Sequence, residues 1–195
     1  WFANYYLNFS DVTFDLAANT VEYHRGRAEP WKVTLVDTGD QSMTGGRLGR
    51  VRDLVADDTF CLTYGDGVAD IDIAASVAFH KGHGRHATMT VVQPPGRFGA
   101  VMIHEGETAV RSFSEKPAGD GAWVNCGFFV LEPAVLDRIS GDDTVWEQEP
   151  LRGLAREGQL EAYQHQGFWQ PMDTLRDKHL LETLWAESTA PWKSW

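Results

Sequence analysis

The chain has 195 residues, 43% of them hydrophobic and 23% charged, with a formal net charge of −11. That length suits one domain with a sizeable core, and the composition is that of an ordinary globular protein, which excludes a disordered or low-complexity class. The acidic balance and the lack of a basic face argue against a nucleic-acid partner, because such binding neutralises phosphates with Lys and Arg. No apolar stretch of membrane-spanning length and no basic-then-apolar leader occurs, so the expected location is cytoplasmic. Cys61 and Cys126 lie inside apolar runs and are expected as buried free thiols of a reducing compartment, not as a disulfide.

Taken in order, residues 1–7 read as the tail of an amphipathic helix already in progress, and further chain is expected upstream of Trp1. Residues 12–15 and 20–23 form two β-prone runs around Ala17-Ala18-Asn19, a hairpin with a turn-forming Asn. This hairpin interrupts the pattern around it, and residues 12–31 are a candidate subunit-contact arm. Residues 31–36 read as a strand, followed by a loop over 37–40. Gly45-Gly46 opens a helix with Leu48, Val51, Leu54 and Val55 on one face.

The apolar run Phe60-Cys61-Leu62 reads as a buried strand that breaks into Thr63-Tyr64-Gly65-Asp66-Gly67-Val68-Ala69-Asp70. A helix over about 73–80 follows, presenting Ile73, Val77 and the Phe79 side, and residues 87–92 form another strand. Strands alternating with helices imply crossovers and a mainly parallel sheet. Strands near 100–103, 110–114 and 123–131 then come without intervening helices, adding a small antiparallel element. A helix over 149–156, a strand near 160–165 and a final helix over 174–185 complete a single α/β domain, 1–195.

Gly65-Asp66-Gly67 puts a carboxylate at a strand's carboxyl end, where open α/β sheets place ligands. Such a carboxylate, with glycines allowing close backbone approach, suits a divalent cation accompanying a phosphorylated substrate. An ordinary turn in which the Asp bonds its own backbone fits these residues equally well. Asp70-Ile71-Asp72 has the Asp-x-Asp form that metal-dependent glycosyltransferases place after a strand, although Asp72 also reads as the cap of the helix at Ile73. Asp173 alone reads as a cap for the last helix. His80, His83 and His86 are regularly spaced, but glycines interrupt the segment and no fourth ligand adjoins, so a solvated helix end is the expectation. Eight Trp invite a carbohydrate-binding module, yet most sit in apolar runs or near the ends, where core and subunit contacts account for them.

Five motifs occur in a fixed order: Tyr64-Gly65-Asp66-Gly67-Val68-Ala69-Asp70, Pro94-Pro95-Gly96-Arg97-Phe98-Gly99, Glu115-Lys116-Pro117, Asn125-Cys126-Gly127-Phe128-Phe129 and Gly167-Phe168-Trp169-Gln170-Pro171-Met172-Asp173-Thr174. With the ending Ala190-Pro191-Trp192-Lys193 they resemble the sugar-nucleotide pyrophosphorylases over nearly the whole chain, and within that family its glucose-1-phosphate cytidylyltransferase branch. The resemblance implies a Rossmann-like nucleotide-diphospho-sugar transferase fold and formation of CDP-glucose and pyrophosphate from CTP and glucose 1-phosphate. It implies Mg²⁺ held by Asp66 and Asp173, and Lys116 as the residue that meets the sugar phosphate. Thr38, Gly39, Thr44, Gly45, Gly46, Tyr64 and Gly65 would surround the nucleotide. Gly99, Glu115, Asn125 and Gly127 would meet the sugar. Arg47 fits either a phosphate contact or a solvated helix position. A homo-oligomer, commonly a hexamer, is implied as well.

One departure stands out. The family begins with a strand and a Gly-Gly-x-Gly-Thr-Arg-Leu loop, then a Pro-Lys-Pro lysine, which cradle the triphosphate with backbone amides and positive charge. Nothing here matches either, and no GxxxxGK or GxGxxG replaces them. The chain is therefore expected to be the carboxyl-terminal three-quarters of a longer enzyme. A non-catalytic sugar-nucleotide binder is the alternative that this departure leaves open.

Overall fold

The computed structural model describes residues 2–24, 31–94, 100–102, 104, 106, 108–114 and 122–194. It divides into two compact units, Trp1–Asp37 and Thr38–Trp195. In the first unit, helix α1 (Tyr5–Phe9) stacks Tyr5 on Phe9 with ring centroids 4.6 Å apart. Strands β1 (Val12–Asp15) and β2 (Thr20–Tyr23) pair antiparallel, Phe14 opposite Val21. Their turn is set by Asp15 Oδ1, which accepts from the amides of Ala17 and Ala18, and by Asn19 in the left-handed region at φ 54°. The hairpin expectation holds. The strand expected over 31–36 does not form: those residues have no regular structure, with Trp31 64% and Leu35 70% exposed. Alternating apolar side chains make a strand only where a neighbour completes the ladder, and among the described residues none pairs with this segment.

The second unit is built on a four-stranded sheet in the order β3 (Phe60–Thr63), β8 (Val124–Leu131), β5 (Ala87–Val92), β9 (Leu160–Gln164). β8 runs antiparallel to both β3 and β5, and β5 runs parallel to β9, so three of the four strands share one direction. Two small antiparallel pairs accompany it: β4 (Gly67–Ala69) with β10 (Trp169–Pro171), and β6 (Ala100–Met102) with β7 (Ser112–Ser114). Helices α2 (Thr44–Arg50), α3 (Arg52–Val55), α4 (Ile73–His83), α5 (Glu149–Arg156) and α6 (Leu175–Ala186) complete the unit. The expected α/β fold, a mixed sheet flanked by helices with a small antiparallel element, is present, although among the described strands only β5 and β9 pair in parallel.

The core joins Leu48 of α2, Ala87 of β5, Phe129 and Leu131 of β8, Trp146, and Leu151 and Leu154 of α5. A fully buried aliphatic side chain of this kind contributes about 1.5–3 kcal/mol. The face drawn for the first helix is only partly right. The helix breaks at Val51 (φ −102°, ψ 10°), and Val51 and Val55 pack against the core while Leu54 is 60% exposed. Cys61 corrects another expectation: β3 alternates partly buried and exposed residues, which leaves Cys61 exposed while Cys126 is buried, both as free thiols.

Helix α4 also departs from its expected face. Ile73 and Phe79 are exposed, while Ser76 and His80 are buried, His80 at 1% exposure. His80 is thus no solvated helix end. A chain of hydrogen bonds accounts for it, and one fixed donor sets its direction. The amide of Arg85 donates to His83 Nδ1 (2.9 Å), so His83 Nε2 carries the hydrogen and donates to Thr88 Oγ1 (2.7 Å). The Thr88 hydroxyl then donates to His80 Nδ1 (2.9 Å), and His80 Nε2 donates to Glu132 Oε1 (3.0 Å), which also accepts from Thr59 Oγ1 (2.7 Å). Each polar side-chain atom along this relay is thereby paired, which removes the desolvation cost that an unpartnered group would carry. The Asp72 expectation holds, its carboxylate capping α4 by accepting from the Ala75 amide.

Candidate active site at the carboxyl edge of the sheet

Strand β3 ends at Thr63, and the chain turns through Tyr64-Gly65-Asp66 into β4. The register of β4 with β10 places Gly67 opposite Pro171, and the ladder continues as the Met172 amide donates to the Asp66 carbonyl at 2.7 Å. Asp66 and Asp173, about a hundred residues apart in sequence, therefore emerge at the same end of one two-stranded ribbon, both exposed. Asp173 is not the cap of α6. That role falls to Thr174, whose hydroxyl accepts from the Asp177 amide in a capping box.

The other end of the ribbon is locked by Asp70. Its Oδ1 lies 2.9 Å from His165 Nε2, and its amide donates to the Phe168 carbonyl at 3.2 Å. With Asp70 paired and Asp72 spent on the helix cap, the Asp-x-Asp pair is used structurally, whereas Asp66 and Asp173 face solvent.

The ribbon is pinned to the main sheet at a bulge. Met89 pairs with Phe129 and Val91 with Asn125, so β8 carries extra residues opposite Thr90. The bulge contains Gly127 at φ 83°, and Asn125 Oδ1 accepts from the Gly127 amide at 2.8 Å. A Cβ at Gly127 would fall 2.7 Å from the Tyr64 ring, so glycine is demanded both by conformation and by the ring laid against it. The carbonyl that the bulge frees, at Cys126, accepts from Trp169 Nε1 at 2.9 Å, tying β10 to β8. Asn125, Gly127, Tyr64, Gly65, Asp66 and Asp173 thus form one neighbourhood.

Thr44 joins it from α2. Thr44 Oγ1 donates to Glu147 Oε2 at 2.7 Å, and the Tyr64 phenol donates to Glu147 Oε1. Burial, then the hydrogen bond to Glu147 and its charge, push the Tyr64 phenol well above its ordinary range, against the lowering effect of Asn125. Gly45 and Gly46 are buried, and their α-hydrogens face backbone: a Cβ at Gly46 would meet Asp142 Cα at 2.6 Å, and one at Gly45 the Thr144 carbonyl oxygen at 2.8 Å. Their visible role is close packing of α2 on the 142–144 segment. Arg47 braces the preceding loop by donating to Thr38 Oγ1 (2.8 Å) and the Asp40 carbonyl (3.3 Å), and Gly39 turns there at φ 79°. Gly99, Glu115 and Lys116 lie outside the described residues. Glu147 was not singled out from the sequence, since a lone Glu before Gln148-Glu149 carries no motif.

A cleft of about 220 Å³ opens at the carboxyl ends of β5 and β9, between Val92, Trp123, His165, Gly167 and Trp169. Among the described residues, no cluster of three or more His, Cys, Asp or Glu forms a metal centre. Two exposed carboxylates at one ribbon end fit Mg²⁺ nonetheless, because that ion commonly takes one or two carboxylates and completes its shell with water and substrate phosphates.

Residues 17–173 match the family described as nucleotidyl transferase, a span that ends on Asp173. Glucose-1-phosphate cytidylyltransferases of Salmonella typhimurium and Salmonella typhi are each 63% identical over 196 aligned residues, covering 100% of this chain and 76% of their own length. In three dimensions, UDP-glucose pyrophosphorylase complexed with UDP-glucose superposes with a TM-score of 0.57 at 13% identity, covering 78% of this chain and 65% of that one, a likeness of fold alone. The chain belongs to the nucleotidyl transferase family.

Proposed function

We propose that this chain transfers a cytidylyl group from CTP to glucose 1-phosphate, releasing pyrophosphate and forming CDP-glucose. The reading is supported by 63% identity to relatives bearing that activity in their names. The observation that supports it is the β4–β10 ribbon, from one end of which both Asp66 and Asp173 emerge exposed. An oxygen of the sugar phosphate attacks the α-phosphorus of CTP in line; the new P–O bond forms as the α–β bridging bond breaks, and pyrophosphate takes the electron pair. No proton has to move, because the attacking phosphate is already ionised. The task left to the protein is to align two anions that repel.

Asp66 and Asp173 would hold Mg²⁺, which supplies positive charge to both anions when bound. Asn125 and Gly127 flank the turn as the sugar side, with Lys116 and Glu115 assigned to the sugar phosphate and hydroxyls by family resemblance. Thr38, Gly39 and Arg47 border the nucleotide side. The reading also includes a cytoplasmic homo-oligomer, a hexamer by resemblance; the hairpin with Phe14, Val21 and Tyr23 exposed is its candidate contact. Incubating the protein with CTP, glucose 1-phosphate and Mg²⁺ should yield CDP-glucose and pyrophosphate in equal amounts. No CDP-glucose, or UTP used as readily as CTP, would sink the assignment.

A further inference from the structure

Glu147 stands outside every motif that marks the family, yet its carboxylate spends both oxygens on hydroxyls from distant segments. Oε2 accepts from Thr44 at the start of α2, and Oε1 accepts from Tyr64 at the end of β3. The anchor itself is fixed. Thr44 Oγ1 accepts in return from the Trp146 amide at 2.9 Å, and the Trp146 ring, 1% exposed, packs edge-on against Phe129 with centroids 6.1 Å apart. Tyr64 leans on the same Phe129 ring at 5.8 Å and covers Gly127.

We propose that Glu147 is a positioning residue of the reaction: its two oxygens clamp Thr44 to Tyr64, and so set the Gly65-Asp66 turn at a fixed distance from the nucleotide side of α2. The inference rests on the cytidylyl-transfer reading. With their hydrogens given to Glu147, the Thr44 and Tyr64 hydroxyls act through the clamp and not as donors to the nucleotide. What the clamp controls is the alignment of two substrates bound on different segments, to which rate is far more sensitive than binding.

The test compares Glu147→Ala, Glu147→Gln, Tyr64→Phe and the Glu147→Ala/Tyr64→Phe double variant. Glu147→Ala and Tyr64→Phe should each lower kcat about tenfold, while KM for CTP and for glucose 1-phosphate moves less than about threefold. Glu147→Gln, whose amide can accept from Tyr64 and donate to Thr44 Oγ1, should restore kcat to within about threefold of the parent. The double variant should be no slower than the slower single one. A Gln variant as slow as Ala, losses that multiply in the double variant, or parent kcat in Tyr64→Phe overturns the proposal, and the last of these decides even where Glu147→Ala fails to fold. A readout without substrate separates this from the functional reading. In an alkaline titration followed by phenolate absorbance, Tyr64 should ionise at lower pH in the Glu147→Gln variant, because a neutral partner no longer opposes the phenolate. An unchanged titration overturns the clamp. A parent that makes no CDP-glucose but shows the shift sinks the functional reading and leaves the clamp standing.

Discussion

Gly167 lies against Asp70 so closely that a Cβ there would press on the Asp70 carboxylate and sit 2.7 Å from His165 Cε1. Glycine at this position is what lets Asp70 and His165 meet at 2.9 Å and lock one end of the β4–β10 ribbon. Gly167→Ala should lower stability by about 1–3 kcal/mol through this overpacking. It should also reduce kcat, since the ribbon carries Asp66 and Asp173 at its other end. Thermal unfolding and steady-state kinetics check both; unchanged values in each would show that the lock does not matter.

The two ribbon carboxylates should be indispensable, and Asp72 of the Asp-x-Asp pair should not. Asp66→Asn and Asp173→Asn should each cut kcat/KM about a hundredfold or more, the scale of losing one preorganised electrostatic group in a transition state. Asp72→Asn should stay within about twofold of the parent, because Asn caps a helix as well as Asp. The opposite ranking in a single activity comparison would transfer the metal role to the Asp-x-Asp segment.

Acid should weaken the fold through the His83–Thr88–His80–Glu132 chain. Burial holds His83 below its ordinary value of 6.5, with the neighbouring His80 acting the same way, Arg85 adding to it and Glu161 opposing it. Protonation is thus easier in the unfolded chain, so this contribution is full above about 6.5 and declines as pH falls toward the folded value. Burial would raise the Glu132 carboxyl, but hydrogen bonds from Thr59 and His80 outweigh it and hold the group below 4.5. Its contribution is present above 4.5 and is lost at lower pH, in the same sense. Melting temperature should therefore fall on acidification below about pH 6.5, in two stages. In His83→Gln, which cannot titrate, the upper stage should be absent; a parent-like upper stage would contradict the assignment.

Thiol labelling should distinguish the two cysteines. Cys126 is 2% exposed, and burial pushes its thiol up to about 11, whereas Cys61 is exposed on β3. A maleimide should modify Cys61 in the native protein and reach Cys126 only after denaturation, because reaction requires access and thiolate. Mass spectrometry of labelled peptides reads this directly; early labelling of Cys126 would contradict the burial.

Regular elements were legible where local pattern and tertiary context agree. The bounds of the hairpin strands, of β3 and of β5 follow from short apolar or β-branched runs ended by turn residues. The segment 31–36 has the same local pattern but no ladder partner among the described residues, and a single sequence does not carry pairing. Helix α4 shows a different limit. Apolar periodicity favours Ile73 and Phe79, while the buried face is decided by His80 meeting Thr88 and Glu132, contacts made by three separate elements. At the site, family motifs singled out Asp66 and Asp173, and the fold brings both to one end of the β4–β10 ribbon. Glu147 stayed hidden because its importance lies in what its two oxygens touch. Gly45 and Gly46 stood out as loop glycines, yet what the structure displays at them is the backbone of residues 142–144.

The reversed direction of β8 bears on how the chain reaches its native state. β3 pairs with β8 and β5 with β9 across separations of about seventy residues, and among these four strands no pair is joined by a tight hairpin. Local contacts alone cannot nucleate such a sheet, and long loops must close before burial repays their entropy. β8, which bridges β3 and β5 from the reverse direction, has to find both partners for the sheet to hold. The bulge at Gly127 lies within that strand and the turn bearing Asp66 is bonded to it through the Tyr64 amide, so the candidate site takes shape late in folding, together with the sheet itself.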